Sequence, residues 1–217
     1  MIQIRNFVFN PFQVNTYVLY DETNEAIIID PACYDKEEEV ELSDFLHAAG
    51  LNPVLCISTH THIDHVLGNN FVFEQYGLKP VIHAAGLELL KKAAYFGQAY
   101  GFKVTDVVLP ETYLTDNQII KFGNSKLEVL YTPGHADGSV CFLSRSDKFV
   151  IVGDVLFYES IGRTDLPGGN FEMLANNIKT RLFSLDDDFK VYSGHGHETS
   201  IGHEKRYNPF LNPESGY

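Results

Sequence analysis

The sequence predicts a mixed α/β protein with two sheets packed face to face and helices outside both, a four-layer α/β/β/α sandwich. Three observations point there. The chain has 217 residues, 44% of them hydrophobic and 21% charged, the make-up of an ordinary globular protein. The apolar runs Ile27-Ile28-Ile29 and Val150-Ile151-Val152 are continuous, as in strands covered on both faces. The elements come in the order strands, β/α alternation, strands, β/α alternation again, so that each half can supply one sheet. Periodicity alone leaves other mixed α/β folds open. The length suits a single domain over 1–217.

Each element follows from its local pattern. Residues 15–20 and 25–30 read as strands rich in Val, Ile and Tyr, joined by the turn residues Asp21-Glu22-Thr23-Asn24. Residues 37–49 read as a helix, with Val40, Leu42, Phe45 and Leu46 near one face, acidic residues at its start and Gly50 at its stop. Residues 54–58 form a buried strand, 66–76 a helix ended by Gly77, 80–83 a short strand and 87–100 a helix ended by Gly101. Strands return at 118–122, 126–131, 140–143 and 149–152. A helix over 171–183, a strand over 190–192 and a helix over 201–207 complete the reading.

The formal net charge is −13, from 16 Lys plus Arg against 29 Asp plus Glu. Such a surface repels phosphate backbones and anionic lipids, which argues against nucleic acid as the main partner. A small anionic substrate stays compatible, because a few cations and a bound metal override the global field locally. Cys33, Cys56 and Cys141 are widely spaced and two sit among apolar residues, the pattern of reduced core thiols. The segment Met1-Ile2-Gln3-Ile4-Arg5 has no basic stretch leading a long apolar run, and no stretch approaches ~18 apolar residues. The expectation is a cytoplasmic protein without a membrane span; the sequence leaves its oligomeric state open.

The segment Thr59-His60-Thr61-His62-Ile63-Asp64-His65 carries the chemistry. Clustered imidazoles desolvate and repel one another when protonated. A divalent cation removes both problems by taking neutral imidazole and ionised carboxylate. On an extended segment alternate residues point the same way, so His60 and His62 reach one ion; Asp64 and His65, past the bend, reach a second. His135 lies in Thr132-Pro133-Gly134-His135, Asp154 ends the strand run Val150-Ile151-Val152-Gly153, and His195 lies in Gly194-His195-Gly196-His197. Each stands where a strand ends and a glycine turn begins, the place where sites assemble on a rigid scaffold. A carboxylate at the position of Asp154 calls for a metal or an ion pair.

The H-x-H-x-D-H run, the central Gly-His, the Gly-Asp after a strand and the late Gly-His resemble the metallo-β-lactamase-fold hydrolases, and among them the glyoxalase II-like (hydroxyacylglutathione hydrolase-like) branch. The resemblance implies the α/β/β/α sandwich and two zinc ions per chain, with iron or manganese as alternatives. It implies one metal held by His60, His62 and His135, a second by Asp64, His65 and His195, and Asp154 bridging them. Asp64 and Asp154 are then catalytic as well as ligating. Two such ions ~3.5–4 Å apart can share a water, lower its pKa toward ~7 and so supply hydroxide to a thioester carbonyl. A thiolate, with a pKa near ~8.5, leaves without a strong general acid.

Three further residues bear on that reaction. Asp30, at the end of Ile27-Ile28-Ile29, either orients a ligand imidazole or is a turn residue before Pro31. Arg163, in Gly162-Arg163-Thr164-Asp165, either clamps a substrate carboxylate or pairs with Asp165. Tyr158 either lines the substrate pocket or packs. Typical glyoxalase II enzymes carry basic residues for glutathione on a C-terminal helical domain, and here Lys205 and Arg206 are the late cations. The Gly162-Arg163-Thr164-Asp165 stretch also resembles the persulfide dioxygenases of the same fold. That resemblance implies a single iron on His60, His135 and Asp154. The partner expected is a small-molecule thioester.

Overall fold

The computed structural model describes residues 1–104 and 106–212. The first sheet has six strands in chain order: β1 (Gln3–Phe9), β2 (Val14–Tyr20), β3 (Glu25–Ile29), β4 (Asn52–Ile57), β5 (Pro80–His83) and β6 (Tyr113–Leu114). β1 to β3 are antiparallel neighbours, and β3 to β6 pair in parallel. The connections between the parallel strands carry helices: α1 (Lys36–Ala48), then α2 (Ile63–Val66) and α3 (Asn69–Tyr76), then α4 (Leu87–Lys91) and α5 (Ala93–Ala99).

The second sheet is built from β7 (Ile119–Phe122), β8 (Ser125–Tyr131), β9 (Val140–Ser144), β10 (Phe149–Gly153), β13 (Lys190–Ser193) and β14 (Thr199–Ser200), in the order β14-β13-β10-β9-β8-β7. A small hairpin, β11 (Leu156–Phe157) with β12 (Ser160–Ile161), leaves the end of β10. The helices α6 (Phe171–Asn177) and α7 (Ile201–Tyr207) belong to this half.

The side-chain period of two produces the four layers. Ile27 and Ile29 of β3 face inward and meet Val129, Phe142 and Ile151 of the second sheet. Ile28, between them, faces out and packs with Leu42 and Leu46 of α1 and Val72 of α3. On the other sheet Val150 and Val152 face out and pack with Leu174 and Ile178 of the α6 segment and Ile201 of α7. The expected α/β/β/α sandwich is therefore the observed one. Among the described residues no helix is long and apolar enough to cross a membrane.

The differences from the sequence reading are local. The helix expected over 66–76 is two, because the chain is pinned at Gly68, whose N–H donates to Pro31 O. A Cβ there would lie 2.9 Å from that oxygen. The helix expected over 87–100 breaks at Lys92, which takes non-helical torsions between α4 and α5. The helix expected over 171–183 continues past α6 as a π-helical turn, Ile178–Leu182. β1 has no counterpart in the sequence reading: polar Gln3, Arg5 and Asn6 mask its period, yet it pairs with β2 over seven residues.

The topology decides where a site can form. β8, β10 and β13 run the same way, since β9 is antiparallel to both β8 and β10. Their ends share one edge of the sandwich. The start of β2 fastens the end of β13 to the first sheet: Asn15 N–H donates to Gly194 O at 2.7 Å, and the Tyr17 hydroxyl to Ser193 O at 2.7 Å.

Candidate metal centre

All seven side chains expected as ligands come together at that edge. His60 follows β4, His62 caps the start of α2, and Asp64 and His65 lie within α2. His135 follows β8, Asp154 follows β10 and His195 follows β13. Potential ligand atoms lie within 4.8 Å of one another in three sets: His60, His62 and His135; Asp64, His65 and His195; and His60, His65 and Asp154. Asp154 stands between the first two. Its Oδ2 is 3.6 Å from His135 Nε2 and 3.5 Å from His195 Nε2, and its Oδ1 is 3.3 Å from His65 Nε2. Gly194 makes room for this: a Cβ there would overlap Asp154 Oδ1 and come within 2.8 Å of His65 Cε1.

Hydrogen bonds on the outer nitrogens aim the rings. Asp30 accepts from Thr59 N–H at 2.7 Å and from the Thr59 hydroxyl at 2.6 Å, and it meets His65 Nδ1 at 3.1 Å. The Thr59 oxygen, its proton given to Asp30, faces His60 Nδ1 at 3.1 Å. His135 Nδ1 meets Arg163 O at 2.8 Å, and His195 Nδ1 meets Phe12 O at 2.9 Å. With Nδ1–H spent outward, Nε2 is the nitrogen each ring turns inward, where it offers a lone pair once the ring is neutral. His62 is the exception, with Nδ1 facing inward, 2.9 Å from His135 Nε2.

The interior of the cluster is short of donors. His60 Nε2 and Asp154 Oδ1 are buried without a hydrogen-bond partner. Both are acceptors in this arrangement, and buried acceptors without donors are costly. A cation satisfies them together, so the donor set of five imidazoles and two carboxylates fits divalent metal.

The charges divide the same way. Burial and the neighbouring His65 hold His60 well below the usual imidazole range, and burial with His135 takes His62 down to about 4. Burial works against charge on His65, but Asp154, Asp64 and Asp30 overcome it and hold that ring well above the usual range. Burial likewise opposes charge on His195, while bonds to Asp154 and Asp64 lift it to about 9. Burial would raise Asp154, yet His65 and His195 keep it well below the usual carboxylate range. Protons on His65 and His195 thus hold the place of positive charge between the two carboxylates.

The two residues expected to bind substrate sit at the mouth. The Arg163 guanidinium forms a two-pronged pair with Asp165, both contacts at 2.8 Å, while its carbonyl positions His135. Tyr158 stacks on His203 at 4.7 Å and lines a cavity with Ser160 and His197. His203 is half-buried between Tyr158 and Tyr207 and bonds Glu159 at 2.9 Å. Sequence reasoning missed Thr59 and the carbonyls of Phe12 and Arg163. A threonine beside the His-rich run was the only available signal, because a carbonyl carries no residue-type information.

Comparison with known proteins agrees with the geometry. Residues 9–195 match the family described as the metallo-beta-lactamase superfamily. The chain is 36% identical over 210 residues to the hydroxyacylglutathione hydrolase GloC of Haemophilus influenzae, covering 94% of this chain and 95% of that one. It is similar to the solved structure of the BLEG-1 B3 metallo-beta-lactamase, with a TM-score of 0.87, 32% identity and coverage of 96% and 99%. It is also similar to TTHA1623 in a di-iron-bound form, with a TM-score of 0.86, 33% identity and coverage of 95% and 100%. The matched segment runs from the last residue of β1 to the last histidine of the cluster, and the chain belongs to the metallo-β-lactamase superfamily of metal-binding hydrolases.

Proposed function

We propose that the chain is a dinuclear metal-dependent hydrolase that cleaves a small-molecule thioester such as a hydroxyacylglutathione, acting as a single domain in the cytoplasm. The observation that carries this reading is the convergence of seven metal-ligating side chains in three overlapping sets, with His60 Nε2 buried among them without a hydrogen-bond partner. The name of the Haemophilus influenzae relative supports the thioester.

In the first set His60, His62 and His135 would hold one cation; Asp64, His65 and His195 would hold the second; Asp154 would touch both. Zinc is the proposed metal, with iron or manganese as alternatives; the di-iron state of a similar structure keeps iron in play. Bound there, the two cations supply an activated water and polarise the thioester carbonyl. The chain's part is positional. Asp30 and Thr59 fix His65 and His60, and the carbonyls of Arg163 and Phe12 fix His135 and His195. Asp64 and Asp154 bring the negative charge that balances the cations. Arg163 and Tyr158, at the mouth, would hold the polar part of the substrate. In the net reaction water oxygen bonds the carbonyl carbon and the C–S bond breaks with its electron pair on sulfur. The products are a carboxylate, a thiol and a proton.

The test is metal analysis of purified protein with assays on S-lactoylglutathione and on glutathione persulfide. Two zinc ions per chain with thioester cleavage support the reading. One iron per chain with oxygen uptake on the persulfide would replace it with a dioxygenase working through His60, His135 and Asp154.

A further inference from the structure

The turn between β1 and β2 reaches the cluster through one side chain, Asn10. The residue takes φ +53°, Gln13 takes φ +57°, and Gln13 N–H closes the turn on Asn10 O at 2.9 Å. Asparagine tolerates this left-handed region better than most residues, which explains its presence in the turn. It does not explain the side chain, which is 8% exposed and aimed into the protein. Asn10 Nδ2 donates to Ala32 O at 3.0 Å and to Asp64 O at 2.9 Å, and Oδ1 accepts from Phe12 N–H at 2.9 Å. Helix α1 anchors the arrangement. Glu38 Oε1 accepts from Asn10 N–H at 2.6 Å, and Oε2 accepts from Tyr34 N–H at 2.8 Å.

Two of these bonds lead to the same set of ligands. Asp64 lies in the single turn α2, and a longer helix would return Gly68 N–H to its carbonyl. That N–H donates to Pro31 O at 2.8 Å, and Asn10 supplies a donor to Asp64 O in its place. On the other side Asn10 Oδ1 holds Phe12 N–H, and Phe12 O meets His195 Nδ1 at 2.9 Å. Asp64 and His195 fall together with His65 in one set of potential ligands. The set of His60, His62 and His135 is aimed by other groups, His60 by Thr59 and His135 by Arg163 O.

We propose that Asn10 is a positioning residue for one of the two metal sites: it sets the backbone of Asp64 and the ring of His195 together, and the site of His60, His62 and His135 does not depend on it. Asn10 acts through two carbonyls and is itself no ligand. The inference rests on the dinuclear reading proposed above. It states which site is lost first when the amide is removed, so that at limiting metal the chain without it holds one ion, on the three histidines.

The test is Asn10→Gly. Glycine takes a positive φ at no steric cost, so the turn keeps its path while the amide is lost. Metal-free parent and variant are titrated with zinc against a chelating dye, and crystals grown at limiting zinc give the anomalous peak height at each set of ligands. The expected result is that zinc affinity at Asp64, His65 and His195 falls about tenfold, the lower end of what residues behind a ligand contribute, while the other site binds as in the parent. Asn10→Asp keeps the acceptor for Phe12 N–H and loses the donor to Asp64 O. It should weaken the same site, and it carries the test if the glycine variant fails to fold. Asp21→Ala, in the turn at the far end of β2, should leave both affinities unchanged, which separates positioning from a general loss of stability. Equal weakening of both sites, weakening at His60, His62 and His135 alone, or two unchanged affinities overturns the inference and leaves the dinuclear reading standing. A parent protein that binds a single ion overturns that reading and the inference with it.

Discussion

The two ends of the sandwich each bury a carboxylate, and they treat it in opposite ways. At the end away from the cluster, Asp21 follows β2 and meets the turn between β7 and β8. Its Oδ1 accepts from Thr23 N–H at 2.9 Å and the Thr23 hydroxyl at 2.6 Å. Its Oδ2 accepts from Asn124 N–H at 2.8 Å and the Ser125 hydroxyl at 2.7 Å. Burial opposes its charge, but these bonds take the carboxyl down to about 2. Every acceptor has a donor from the chain, and the result is a clamp between the two sheets. At the opposite end Asp154 faces imidazole nitrogens suited to metal, His65 Nε2 at 3.3 Å from Oδ1 and His195 Nε2 at 3.5 Å from Oδ2, and these rings keep it ionised. A buried carboxylate whose donors are supplied by the chain is structural. One ringed by imidazoles has the surroundings of a metal ligand.

The contrast can be broken from either side. The largest effect belongs to Asp154→Ala: thioester turnover should fall by more than about 100-fold, since even residues behind a ligand are worth 10–100-fold. Its metal content should drop below two per chain while circular dichroism stays native. Full turnover in that variant would remove Asp154 from the reaction. Asp30→Asn is next, costing about 10–100-fold in metal affinity through His65 and Thr59, read by competition with a chelating dye. Asp21→Ala should do the reverse of Asp154→Ala. It should cost about 1–3 kcal/mol of stability by stranding the Thr23, Asn124 and Ser125 donors, with metal content unchanged. For a chain of this size each kcal/mol lowers Tm by about 2–4 °C.

Acid sharpens the same contrast. The ordinary carboxyl value of 3.8 falls to about 2 in the fold, so the Asp21 contribution is complete above about 4 and disappears as pH falls through 2. Metal loading should weaken earlier. His195 titrates near 9 in the metal-free protein, so binding at neutral pH must displace its proton, and affinity should fall as pH drops from 9. Calorimetry in buffers of different ionisation heat should record proton release on binding. The smallest effect is expected for Asp165→Asn, an exposed pair with Arg163, which should leave Tm unchanged.

The cluster was legible in the sequence because three imidazoles and a carboxylate crowd into six residues, and because His135, Asp154 and His195 are polar residues planted just past strands. Val150-Ile151-Val152-Gly153-Asp154 needs no fold to look unusual. The layering was legible from Ile27-Ile28-Ile29, which has to be covered on both faces. Asp30 left two readings open because a carboxylate before Pro31 suits a turn as well as an imidazole, and only the meeting of β3 with β4 and α2 brings His65 to it. The carbonyls of Phe12 and Arg163 act without their side chains, so nothing in the residue types announces them. The break at Gly68 depends on Pro31 and Cys33, thirty-odd residues away, and periodicity within one segment cannot register it.

The central claim is that seven side chains from both halves of the chain surround two cations. Anomalous diffraction from crystals of the zinc-loaded protein tests it most directly. The account predicts two peaks, one among His60, His62 and His135 and one among Asp64, His65 and His195, with Asp154 reaching both. A single peak, or metal bound away from these residues, would contradict it.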